Sequence, residues 1–249
     1  MPQVKIQPEN LSLDGTNLPL VAGVPLQMPG GAVANWLDQR LHLQHGPIDL
    51  IISADGAADV VMSAFARAAD AFDGLLATLV EELPTLRAPA NASQPPDLRG
   101  LVAKRMDEAI RPHLYRYESG DFITPMVAVA GSVADYILDA MGGGLDRAVV
   151  NNGGDIALHL SEGTFFDIGI ADDRDVCFSN FTKKASGKLA GNMPLKGQIR
   201  LGHDDQIGGV ATSGWRGRSH SFGIADSVTV LAKNAADADV AATLIANAI

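Results

Sequence analysis

The chain has 249 residues, 47% of them hydrophobic and 19% charged, which is the composition of a globular protein with a sizeable core and excludes a disordered chain. Lys and Arg number 19 against 29 Asp and Glu, so the net charge of -10 repels a polyanionic backbone and removes nucleic acid from the expected partners. One cysteine, Cys177, excludes an internal disulfide or a Cys-built metal cage and suits a reducing compartment.

Met1 to Gly15 carry neither a basic segment leading into an apolar one nor a cysteine for a lipid. Even the apolar segment Met126 to Met141 contains Asp135 and Asp139, which breaks the run that a spanning helix needs. The expectation is a cytoplasmic protein with no membrane partner, a single domain over 1–249 with an extended arm at 1–35 and an internal linker at 84–96.

In that arm Pro2, Pro8, Pro19, Pro25 and Pro29 punctuate short apolar runs, which predicts extended pieces and few strong elements. Arg40 to His45 alternates, Gly46-Pro47 is turn chemistry and Ile48 to Ser53 is apolar and β-branched, so the three read as a hairpin. From Asp59 to Leu83 apolar residues recur at helical spacing, predicting one long helix with Asp59 as its cap. Pro84 to Pro96 has no periodicity and reads as the linker.

A second helix is predicted over Asp97 to Arg111, stopped by Pro112, and a third opens at Thr124-Pro125 and runs to Met141 before Gly142-Gly143-Gly144. Then the period changes. Ala148–Asn151, Ile156–Leu160, Phe165–Ala171, Gln198–Leu201 and Ser227–Ala232 read as strands, and Asp237 to Ile249 as a closing helix. Adjacent strands with packed helices, without strict βαβ alternation, predict an α+β fold with antiparallel sheets.

Several segments have two readings each. In Asn151-Asn152-Gly153-Gly154-Asp155 the glycines allow a backbone to approach a bound group and the amides suit a phosphate or heterocycle edge, while Asn-Gly and Gly-Gly are equally the signal of a plain hairpin. Gly208 to Gly214 is a small-residue loop whose Thr212 and Ser213 hydroxyls, with Arg216, Arg218 and His220 beyond, either meet an oxyanion or are solvated surface. On a helix Asp239 and Thr243 share a face and can converge on a hard cation, for which magnesium fits; alternatively Asp237 or Asp239 caps the helix.

Taken in order, Ala130-Gly131-Ser132-Val133-Ala134-Asp135, the Asn-x-Gly-Gly-Asp loop, Ala211-Thr212-Ser213-Gly214, Ser227-Val228-Thr229-Val230 and Ala238-Asp239-Val240-Ala241-Ala242-Thr243 resemble the ApbE superfamily of FAD:protein FMN transferases. The likeness covers about residues 120 to 249 and is nearest to the branch called UPF0280, through Ser219-His220-Ser221-Phe222-Gly223-Ile224-Ala225-Asp226 before the Val-Thr-Val strand.

The resemblance implies a T-fold-related architecture, with Asn151, Asn152, Gly153, Gly154, Asp155, Thr212, Ser213 and Gly214 as flavin-nucleotide contacts. It further implies magnesium on Asp239 and Thr243, and FAD as substrate or ligand. His220, with Asp226, is the candidate general base, at a spacing that differs from the family's; alternatively His220 only hydrogen-bonds a loop. The implied reaction is attack of an acceptor-protein hydroxyl on the FMN phosphorus with AMP leaving. Two positions depart from the family pattern: Ala130 stands where transferases carry Lys, and the His-Ile-x-Asp-Pro segment is absent. Those departures leave two other readings: a small-metabolite hydrolase or lyase, and a nucleotide-binding module without turnover.

Overall fold

Alternation decides the first half of the sheet. In the computed structural model, which describes residues 24–37, 39–117, 122–171, 195–215 and 221–249, β3 (Arg40–His45) and β4 (Ile48–Asp55) pair antiparallel, with Leu41 opposite Ile52 and Leu43 opposite Leu50. All four side chains are fully buried on one face. Period-two burial of this kind pins the register, because a one-residue slip would turn the whole apolar set to solvent.

The sheet grows from that hairpin in both directions. Upstream are β2 (Val33–Leu37) and the short β1 (Leu26–Gln27); downstream are β5 (Arg147–Asn152), β6 (Asp155–Leu160), β9 (Gly209–Ser213) and β10 (Val228–Ala232). The order is β1-β2-β3-β4-β5-β6-β9-β10, every neighbouring pair antiparallel. A separate ribbon of β7 (Phe165–Ala171) and β8 (Leu195–Gly202) packs Phe166, Ile168, Ile199 and Leu201 against Val149, Leu158 and Val210 on one face of the large sheet.

The opposite face carries the helices α1 (Ala58–Phe72), α4 (Leu101–Ile110), α5 (Val129–Met141) and α6 (Ala235–Ala248). The main core lies between them and the strands, with Phe65 edge-on to Trp36 at 5.5 Å and Phe72 fully buried. The result is α+β, with a large antiparallel sheet and packed helices. Among the described residues no helix is long and apolar enough to cross a membrane.

Several sequence-based expectations are corrected. The helix predicted from Asp59 to Leu83 is three: α1, α2 (Leu75–Glu81) and α3 (Leu83–Leu86), interrupted at Asp73-Gly74, where Gly74 has φ 81°. The cause is tertiary, since the Asp73 carboxylate accepts N–H bonds from Gly30 and Ala32 instead of continuing the helix. Ala57, not Asp59, is the N-cap residue of α1.

The helix predicted from Asp97 starts at Leu101, because the Glu82 carboxylate accepts the N–H groups of Arg99 and Gly100 and fixes the start there. Its α-helical part ends at Ile110, just ahead of Pro112 as expected, and the chain goes on as a 3-10 helix over Arg111–Tyr117. Residues 33–35, placed in the arm, belong to β2. The segment 84–96 begins inside α3, and Ala90 N–H then donates to Ile123 O. The small-residue segment from Gly209, read as a loop, is β9: its bare backbone lets it lie against Asn234 and Ala235, where a Cβ on Gly209 would collide. His220, Arg216, Arg218 and Cys177 lie outside the described residues.

Candidate functional site

The Asn-x-Gly-Gly-Asp segment is a two-residue hairpin. Asn152 pairs with Asp155, Gly153 and Gly154 take φ of 66° and 116°, and the Asn151 side-chain oxygen accepts the Gly154 N–H at 2.9 Å. Such a turn requires left-handed backbone at both central residues, which is why glycine stands there. The hairpin is also tied to a helix, because Asn152 Nδ2 donates to Ala130 O at 3.1 Å, just ahead of Gly131 in α5.

Gly131 is where two helices touch backbone to backbone, and a Cβ there would overlap the Ala235 carbonyl at the start of α6. Each helix supplies a carboxylate to the N-terminus of the other. Asp135, one turn after Gly131 on α5, accepts the N–H groups of Ala235 and Ala236, each at 2.9 Å. Asp239, one turn into α6, accepts the Gly131 N–H at 3.0 Å. Carboxylates fit there because the first turn of a helix presents unpaired N–H groups and the positive end of its dipole.

The cap expected of Asp237 or Asp239 is made instead by Asn234, whose side-chain oxygen accepts the Asp237 N–H at 2.7 Å. Asp239 is thus released to face α5. Only 8% exposed, it is held well above the ordinary carboxyl range, first by burial and then by repulsion from Asp155. The N–H groups of Gly131 and Ala130 oppose that rise. Asp135 is also raised, chiefly by burial, against the pull of the α6 amides and of Arg105.

Thr243 follows Asp239 by one turn on α6 and is half-buried. β9 brings Thr212 and Ser213 to the same end of the sheet, since it pairs with β6 from Ile156↔Val210 and continues past the hairpin. The Thr212 and Thr229 hydroxyls meet across β9 and β10 at 3.0 Å, while Ser213 is buried. Asp226, named with His220 as catalytic, holds the chain beyond β9: its Oδ1 accepts the Trp215 indole N–H at 2.8 Å, and the Trp215 N–H donates to Ala225 O. Trp215, Ser221, Gly223 and Ile224 line an open cleft of about 500 Å³.

Asn152, Asp155 and Asp239 are therefore brought together at the α5 N-terminus, and Thr212 and Ser213 lie on the neighbouring strand at that end. Among the described residues no three His, Cys, Asp or Glu side chains form a metal-binding group, so a cation here would draw on Asp239, the Thr243 hydroxyl and main-chain oxygens. The resemblance passed through Gly131 and Asp135 without giving either a role, and Trp215 was not singled out at all. The only signal for the two helix residues was their four-residue spacing, which matches that of Ala235 and Asp239.

The family model described as AbpE bacteria matches residues 34–249, and the chain is a member of that family. Among curated proteins it is similar to the UPF0280 protein of Methanothrix thermoacetophila, 36% identical over 130 residues that make up 51% of this chain and 46% of the relative. The UPF0280 protein of Archaeoglobus fulgidus is 35% identical over 128 residues, 51% of this chain and 45% of the relative. That of Methanopyrus kandleri is 32% identical over 146 residues, 59% and 48% respectively. The chain spans about half the length of the curated relatives it matches.

Proposed function

We propose that the end of the sheet around Asp155 and Asp239 binds a flavin nucleotide together with magnesium, and that the protein transfers FMN from FAD to a hydroxyl of a cytoplasmic acceptor protein. One observation carries the reading: a buried Asp239 carboxylate stands near Asp155, with the Thr243 hydroxyl one turn away on the same helix. A buried carboxylate repelled by a half-buried one, with a hydroxyl one turn along the helix, is a donor set of hard oxygens that suits a divalent cation. Bound there, the cation would neutralise charge on the nucleotide pyrophosphate.

The chain's own groups have distinct tasks in this reading. Gly153 and Gly154 leave the hairpin backbone open to the nucleotide, and the exposed Thr212 hydroxyl offers a hydrogen bond at the edge of β9. Asn151 and Asn152 act through the frame, the first closing the turn and the second holding Ala130. In the transfer, the acceptor oxygen bonds to the FMN phosphorus, the bond from that phosphorus to the AMP oxygen breaks, and the hydroxyl proton passes to a base, for which His220 is the candidate. Asp226 positions Trp215 beside that segment.

A small-metabolite hydrolase or lyase is the second reading, favoured by Ala130. It puts no cationic side chain before Gly131, and its carbonyl is taken up by Asn152. The test is to identify the co-purifying ligand by absorbance and mass spectrometry, and to assay AMP release from FAD with magnesium. Bound flavin and magnesium-dependent AMP release are expected, with magnesium binding in calorimetry lost in Asp239→Ala. A non-flavin ligand without AMP release supports the second reading, and magnesium binding that survives Asp239→Ala ends the metal assignment.

A further inference from the structure

We infer that Asp135 is a positioning residue for the Asp239 site: by holding the first turn of α6 against α5 it sets the place of Asp239 and Thr243. This rests on the reading of Asp239 and Thr243 as magnesium ligands. Gly131 and Asp135 are one turn apart on α5, and Ala235 and Asp239 are one turn apart on α6. The bonds cross, with the Asp135 oxygens on the N–H groups of Ala235 and Ala236 and an Asp239 oxygen on the N–H of Gly131.

Two such bridges in opposite directions fix both the rotation and the translation of α6. A slip of one residue turns a helix by about 100° and advances it by about 1.5 Å, which would carry Asp239 and Thr243 off the α5 terminus together. Contact at Gly131 leaves no slack along the third direction. Arg105 Nη1 stands 3.7 Å from Asp135 Oδ2, so the carboxylate is itself held from α4. Asp135 touches none of the proposed ligands; it acts through the α6 backbone, beside a weaker charge repulsion of the Asp239 carboxylate. Groups of this kind, which orient the ligands of a metal, commonly change metal affinity by about 10- to 100-fold when altered.

The test compares Asp135→Asn with a control at the far end of α5, Arg67→Ala. Arg67 donates to the carbonyls of Ala140 and Met141 and so caps the other terminus of the same helix. Magnesium affinity is measured by calorimetry on full-length wild type and both variants, at a temperature where circular dichroism shows all three folded. Asp135→Asn keeps the shape and one acceptor oxygen, and is expected to weaken magnesium binding ten-fold or more, while Arg67→Ala lowers the melting temperature without changing it. A loss below ten-fold in Asp135→Asn, or an equal loss in Arg67→Ala, overturns the inference. Should the wild type show no magnesium binding that Asp239→Ala removes, the metal reading fails first and the inference falls with it.

Discussion

The two halves of the sheet are held to their helices by different physics. Around β2 to β4 and α1 the contact is made by large side chains, Trp36, Leu41, Leu50, Ile52, Phe65 and Phe72, whose burial contributes roughly 1.5 to 3 kcal/mol each. Where β9 and β10 meet the first turns of α5 and α6 it is made largely by Gly131, Ala211, Ala235, Ala238 and Ala242, and by the buried carboxylates of Asp135 and Asp239. Small residues contribute little apolar area. What they allow is backbone-to-backbone approach, so that hydrogen bonds of definite length and direction set the geometry. A core of large side chains can adjust by changing rotamers, whereas a seam of backbone contacts has nothing to adjust, which suits a place where oxygen ligands must be held in position.

The largest effect expected from breaking this contrast is in the apolar half. Phe65→Ala removes a fully buried ring packed on Trp36 and should destabilise by about 3 to 5 kcal/mol, read as a fall in the urea midpoint.

A single added methyl sharpens the comparison. Helix propensity alone predicts that Gly131→Ala stabilises α5 by roughly 1 kcal/mol. The Ala235 carbonyl occupies the space a Cβ needs, so the expected sign is opposite, a loss of about 1 to 3 kcal/mol as α6 is pushed away. In the other half, Ile52→Val, a change of the same size in the opposite direction, should cost only about 0.5 to 1.5 kcal/mol. Equal tolerance at the two positions would show that the seam is no more rigid than the core.

The smallest effects are those of pH, and they separate a buried carboxylate from an exposed one by sign. Burial raises Asp135, so the stability linked to its bound proton is full below the unfolded value of about 3.9 and is lost as pH rises through the raised folded value. Asp167, exposed on the β7–β8 ribbon, is lowered by its hydrogen bonds from Arg200 at 2.7 and 2.8 Å. Its contribution is present above about 3.9 and is lost as pH falls through the lowered value. Unfolding midpoints between pH 3 and 7 should therefore show the wild-type advantage over Asp135→Asn shrinking as pH rises, and that over Asp167→Asn shrinking as pH falls. Solvent screening keeps the second slope shallow.

Local pattern alone determined several elements of this protein. The Leu41-x-Leu43 alternation opposite Leu50 and Ile52, the helix through Met141 with its glycine stop, and the Asn-Asn-Gly-Gly-Asp hairpin all follow from side-chain period and backbone preference, which neighbouring residues suffice to express. The succession of short motifs after residue 120 also carried the family resemblance and drew attention to Asp155 and Asp239.

Partners distant in sequence decided the rest. Asp73 ends α1 because Gly30 and Ala32 claim its oxygens, and Glu82 starts α4 by reaching Arg99 and Gly100. Gly208-Gly209-Val210 has a weak strand signal and becomes β9 only because the Ile156 strand and the backbone at Asn234 lie ready beside it. The exchange of carboxylates between α5 and α6 joins residues about a hundred positions apart, Asp135 with Ala235 and Asp239 with Gly131. A one-dimensional pattern shows that each of these aspartates is polar on an apolar helix. Which N–H groups satisfy them is a property of two helix ends meeting in space, and that meeting is what places Asp239 near Asp155.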